Sequence, residues 1–135
     1  MEKFYVITNK DKDRDGSVSK LIASYIREKG KTCILEQEGE VTQDVDCVLV
    51  LGGDGTLLRA ATDMVDYNIP LLGINLGTLG YLAEIDRNSI FPALDKLFAD
   101  EYTLENRMML RGVIYRNGQE VYSDIALNDI VISRD

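Results

Sequence analysis

A chain of 135 residues with 45% hydrophobic side chains suits one folded domain with a real core and excludes wholesale disorder. Its 23 acidic against 15 basic side chains leave a net charge of −8, which opposes binding to nucleic acid or to an anionic membrane surface. Two cysteines outside any CxxC pair, with no histidine, make a poor zinc set. With no signal pattern and no apolar run of membrane-spanning length, a reducing cytoplasm is the expected compartment.

In chain order, strand and helix patterns alternate. Residues 4–8 (FYVIT) are a β-prone run, followed by the acidic turn DKDRDG. Residues 18–29 place Val18, Leu21, Ile22, Tyr25 and Ile26 at helical spacing, and Gly30 suits the stop. Residues 32–35 predict a second strand, 36–46 a polar surface connection, and 47–51 (CVLVL) a strand covered on both faces. Cys47 within that run reads as a buried free thiol. Residues 56–65 predict a helix, 69–74 another buried strand, and 89–98 an amphipathic helix with Ser89 as its cap. From Thr103 the texture turns to β-rich runs with a hairpin turn at RNGQ. An α/β body over residues 1–102 thus leads into antiparallel strands over 103–135, with little chain left for the closing strands to pack against. That imbalance predicts a piece of a longer protein.

The acidic turn resembles a calcium loop, with Asp11, Asp13 and Asp15 followed by Gly16, Ser17 and Ser19. Such a loop needs a bidentate carboxylate at its twelfth position, and Ile22 stands there. A solvated strand-to-helix turn is the better reading, with Asp15 or Ser17 capping the helix and Gly16 permitting the bend.

The stretch LGGDGTLLRA puts Gly52, Gly53, Asp54 and Gly55 between a buried strand and a helix. Glycines let the backbone approach a ligand closely, and free N–H groups at a helix start suit phosphate. A plain hairpin with an Asp-Gly turn is the alternative, but the residues that follow lack β-branched alternation. A carboxylate beside polyphosphate is unfavourable by roughly several kcal/mol at low effective dielectric. Asp54 therefore suits a metal ligand or a proton acceptor, both of which belong to phosphoryl transfer. A second glycine cluster, Gly73, Gly77 and Gly80 around Asn75, follows the next strand and can line the same crevice. Asn128 and Asp129 interrupt the apolar ALNDIVI; such a pair can grip ribose hydroxyls, or stand in water on an edge strand.

Taken together, GGDGTLLRA, GINLGTLGYLAEI and ALNDIVISR resemble the N-terminal domain of the NAD kinase family. GGDG alone is shared with lipid kinases and phosphofructokinase relatives. The resemblance implies a Rossmann-like, phosphofructokinase-like open parallel sheet flanked by helices. It implies transfer of the terminal phosphate of ATP, or of inorganic polyphosphate, to the adenosine 2′-hydroxyl of NAD, with a divalent metal such as Mg²⁺. By the same resemblance, Asp54 matches the proton acceptor, Gly55 and Arg59 match NAD contacts, and Gly52 and Gly53 face the phosphate donor. Asn128 and Asp129 match the pair at the adenosine ribose, where relatives often carry Glu in place of the shorter Asp129. Asn75 belongs to the cofactor-binding set, and Tyr81 borders the adenine pocket. Members continue into a β-rich second domain that completes the NAD pocket and much of the oligomer interface, so the full-length protein is expected to be a homo-oligomer. Its partners would be small nucleotides. The alternatives are a diacylglycerol-type lipid kinase and a non-catalytic acidic module that binds a metal or a partner through Asp11 to Asp15.

Overall fold

The computed structural model describes residues 1–77, 84–116 and 119–132, with backbone alone at 54, 84 and 107–127. Strand β1 (Lys3–Thr8) is followed by helix α1 (Ser17–Glu28) and strand β2 (Thr32–Leu35). A 3₁₀ turn at Glu36–Glu38 precedes β3 (Cys47–Gly52), α2 (Asp54–Asp63) and β4 (Leu71–Asn75). A short β5 (Glu84–Asp86) and a second 3₁₀ turn (Arg87–Ser89) lead to α3 (Ile90–Phe98), then to β6 (Thr103–Arg116) and β7 (Gln119–Val131).

The strands form one seven-stranded sheet in the order β2-β1-β3-β4-β7-β6, with β5 also pairing β4. Neighbours are parallel except β6 and β7, which pair antiparallel. Side chains along a strand alternate between faces, and here both faces are covered. Phe4, Val6, Leu49, Leu51, Leu72 and Ile74 pack with Ile22 and Ile26 of α1 and Leu94 and Leu97 of α3. On the opposite face Tyr5, Ile7, Val48, Val50 and Leu71 pack with Leu57, Ala60 and Ala61 of α2. This explains the unbroken apolar run before Gly52: every residue of β3 is buried. The result is the helix-flanked, mostly parallel sheet expected from the alternation, with antiparallel strands near the C-terminus. Among the described residues, no helix is long and apolar enough to cross a membrane.

The structure revises two helix starts. At α1, Gly16 does provide the bend, with φ 69°, and Asp15 accepts from the first N–H of the helix, but the buried acid that takes the next two is Asp13. Asp13 folds back from the turn and is 4% exposed. Its Oδ1 accepts from Val18 N (3.0 Å), and its Oδ2 accepts from Ser19 N (3.2 Å) and from the Thr8 hydroxyl (3.1 Å). Asp15 accepts only locally, from Ser17 N at 3.0 Å. At α3, Ser89 makes no capping bond through its side chain. Instead the Asp86 carboxylate accepts from Ser89 N at 3.0 Å, one 3₁₀ turn earlier.

Boundaries shift as well. Helix α2 opens at Asp54, two residues before the expected start, and β4 opens after Pro70, whose carbonyl accepts from Val48 N (2.9 Å). The turn residues 117 and 118 of RNGQ lie outside the described residues; Arg116 and Gln119 pair on either side of them. Cys33 and Cys47 are buried free thiols. Burial pushes Cys33 up to about 11 and Cys47 higher still, so both stay protonated.

Removing the buried cap should be costly. Asp13→Ala is expected to lower stability by about 2 kcal/mol, since it strands three donors at once. Asp11→Ala on the exposed side of the turn should change it by less than about 0.5 kcal/mol. Urea denaturation of the two variants checks the contrast, and equal midpoints would remove Asp13 from this role.

Candidate functional site

The carboxyl ends of β1, β3 and β4 converge on one edge of the sheet, where ligands of open α/β folds gather. Thr8 pairs with Leu51, and Gly52 pairs with Asn75, so the three ends lie level. Directly after β1, Asn9 ties them together. Its N–H donates to Leu51 O (2.8 Å) and its Nδ2 donates to Thr56 Oγ1 (3.2 Å).

Between β3 and α2 the chain reverses in a tight strand-to-helix turn. A Cβ on Gly52 would lie 2.5 Å from Thr56 Oγ1 and 2.8 Å from Thr56 Cβ, closer than real atoms approach. Only a residue without a side chain lets the first turn of α2 fold onto the strand end. Gly53 then occupies the N-cap position, φ −134° and ψ −163°, with no side-chain cap. Among the described residues, no side chain accepts from the first N–H groups of α2, which suits them to another acceptor. Asp54 opens the helix by its backbone, and its side chain is outside the described part of the structure. Gly55 faces open space, with no atom within 4 Å of a Cβ built there.

The second glycine loop lies alongside, as expected. Leu76 N donates to Gly52 O (3.1 Å), binding the two loops through their backbones. Asn75 is 2% exposed and its Oδ1 accepts from Gly77 N at 2.7 Å, so the amide shapes this loop. Tyr81 and Gly80 lie outside the described residues.

Three side chains that sequence reading passed over complete the cleft: Asn9, Thr56 and Lys12. A Cβ on Gly53 would lie 3.2 Å from Lys12 Nζ, and one on Gly77 would lie 3.5 Å from it. The ammonium of an otherwise acidic turn therefore stands between both glycine loops. A signal existed: Lys12 follows the end of a strand neighbouring the GGDG strand, and that end faces the ligand edge. The resulting cleft of about 320 Å³ is lined by Asn9, Lys12, Gly53, Gly55, Thr56 and Arg59. Asn9 and Arg59 also border an adjoining cleft of about 550 Å³, where Lys10, Asp11, Glu36 and Asp63 stand. The two oxygens of Asp13 are engaged by α1 and Thr8, so the acidic turn does not present a ring of carboxylates. Among the described residues, no group of three or more His, Cys, Asp or Glu is placed to hold a metal.

Asn128 and Asp129 stand elsewhere. Asp129 is 1% exposed and pairs with Leu71 at the start of β4, whereas Asn75, at the other end of that strand, adjoins Gly52. Four residues of strand separate the two levels, roughly 13 Å. The half-buried Asn128 donates from Nδ2 to Asn68 Oδ1 (2.9 Å), in the connection between α2 and β4. The structure thus gathers Gly52, Gly53, Gly55, Arg59 and Asn75 and sets the Asn128–Asp129 pair apart along the sheet.

Residues 5–102 match the family model for the ATP-NAD kinase N-terminal domain. The NAD kinase of Lachnospira eligens is 42% identical over 149 aligned positions, which take in 100% of this chain and 51% of that protein. The NAD kinase of Agathobacter rectalis is 48% identical over 146 positions, 99% of this chain and 50% of that one. The chain spans about half the length of the curated relatives it matches. Among solved structures, yeast NADH kinase complexed with NADH superposes with a TM-score of 0.53 at 14% identity, over 92% of this chain and 46% of its own. An NAD kinase from Archaeoglobus fulgidus in complex with ATP gives 0.56 at 22% identity, over 79% and 41%. At those identities they attest the fold alone.

The glycine turn makes a graded prediction. Gly52→Ala should destabilise the chain by about 1–3 kcal/mol, because the added methyl meets Thr56. Gly55→Ala, facing open space, should be within about 0.5 kcal/mol of the parent. Thermal melts of both variants decide it; a neutral Gly52→Ala would mean that the helix can shift off the strand end.

Proposed function

This chain belongs to the ATP-NAD kinase family, and from that premise we propose that it is the nucleotide-binding part of a kinase acting on NAD. The reaction moves the terminal phosphate of ATP, or of inorganic polyphosphate, to the adenosine 2′-hydroxyl. The 2′ oxygen attacks the terminal phosphorus, the bond from phosphorus to the bridging oxygen breaks, and ADP or the shortened polyphosphate leaves. The hydroxyl proton passes to the Asp54 carboxylate, and NADP is the product. The observation that carries this reading is the uncapped start of α2, held at the level of the β1 and β4 ends by the Gly52 turn. Aligned N–H groups there suit the oxygens of a phosphate chain.

Other residues take roles that fit their places. Gly52 and Gly53 admit the donor phosphates, Gly55 and Arg59 border NAD, and Asn75 holds the second glycine loop in shape. Asn128 and Asp129 bind the adenosine ribose, with Tyr81 at the rim of the adenine. Their separation from the glycine loops along β4 suits an extended ligand rather than a lone phosphate ion. A divalent ion such as Mg²⁺ would offset phosphate charge, and held mainly by donor phosphates and water it needs only one or two protein oxygens. We assign residues 1–102 to the α/β domain and 103–135 to the start of a β-rich part that completes the acceptor site and builds a homo-oligomer. The setting is the cytoplasm.

Two outcomes are expected. The 135-residue chain alone should form NADP at a negligible rate, because part of the acceptor site lies beyond it; turnover at an ordinary enzyme rate would refute the division of the site. In the chain joined to its C-terminal half, Asp54→Asn should lower kcat by about 10²–10⁴-fold. An unchanged kcat would remove Asp54 from the chemistry. Labelled ATP offered with NAD or with diacylglycerol separates this reading from a lipid kinase.

A further inference from the structure

Lys12 is left without a role by everything above, yet its position is specific. It belongs to the β1–α1 turn, far in sequence from both glycine loops, and its ammonium stands between Gly53 and Gly77. The neighbouring backbone is anchored: Lys12 N and Asp13 N both donate to Asn9 O, at 3.1 and 3.0 Å, and Asp13 is locked beneath as the cap of α1. The side chain is exposed and takes part in no ion pair among the described residues. In a protein of net charge −8, an unpaired cation held over an uncapped helix start has one plain use, the local attraction of a polyanion.

We propose that Lys12 is a binding residue for the phosphate chain of the donor, gripping its oxygens across the gap between the two glycine loops. The assignment to donor rather than acceptor rests on the kinase reading, in which Gly53 faces the donor. Because the turn's backbone is already fixed, binding orders only the lysine side chain, which keeps the entropic cost small. The shared chemistry is a run of phosphates, so ATP and inorganic polyphosphate are both suitable ligands. The alternative polyanion at this place is the pyrophosphate of NAD.

The test titrates inorganic tripolyphosphate, ATP and NAD in separate calorimetric runs into the 135-residue chain and its variants. Lys12→Met should weaken tripolyphosphate and ATP by about 10–100-fold, the size of one lost charge-assisted contact. Lys12→Arg should recover most of that, and Lys29→Met, which makes the same charge change at the opposite end of α1, should leave binding within about twofold of the parent. In the chain joined to its C-terminal half, Lys12→Met should raise KM for ATP and leave KM for NAD unchanged. Equal tripolyphosphate affinity in parent and Lys12→Met, or no binding by the parent at millimolar concentration, overturns the proposal. A loss confined to NAD also overturns it, moving Lys12 to the acceptor. Lysine-dependent tripolyphosphate binding with no NADP formed by the joined protein would sustain Lys12 and sink the kinase reading instead.

Discussion

The edge of this sheet depends on one missing side chain. At Gly52 the strand and the helix that follows it come so close that a methyl group would overlap Thr56. With hydrogen there, α2 packs directly on the strand end, and its backbone donors emerge at the level of Asn75 and Asn9. Any larger residue would push the helix away and separate those donors from the second glycine loop. The close approach also explains why Thr56 accepts from Asn9: the hydroxyl is wedged between the ends of β1 and β3. A steric condition at one position therefore sets the geometry of three loops.

Electrostatics at that edge run against the molecule's overall sign. The chain carries an excess of acid, but the smaller cleft is lined by Lys12 and Arg59 among its described side chains. The acids of the β1–α1 turn are divided between structure and solvent. Asp13 is buried as a cap, Asp15 is tied to the next residues, and Asp11 stands in the larger cleft with Glu36 and Asp63. What resembles a calcium loop in one dimension is thus a device for aiming a lysine. The acids hold the turn, and the cation between them is presented.

Much of this was legible in the residues. The unbroken CVLVL run states that β3 is covered on both faces, and the glycines after it, followed by residues poor in β-branching, state a turn into a helix. Adjacency of the two glycine loops followed from their place after neighbouring parallel strands. What escaped depends on side chains returning across a bend. Asp13 was not among the expected caps, because its role requires knowing that Gly16 turns the chain back over Thr8. Ser89 had the right chemistry for a cap, but a 3₁₀ turn intervened and passed the task to Asp86. Lys12 was hidden by its neighbours' charge. The pair at 128 and 129 was visible as polar residues in an apolar strand, whereas its level along β4 is a matter of register, which no local pattern encodes.

The order of the strands has a consequence for how the protein is made. Strand β1 lies inside the sheet, flanked by β2 and β3, and its two faces are sealed by α1 and α3 on one side and by α2 on the other. Although it is the first strand to appear during synthesis, its cover is complete only once α3, which ends at Phe98, has been made. A nascent chain must shield Phe4 to Ile7 from other chains until about three-quarters of these residues have emerged.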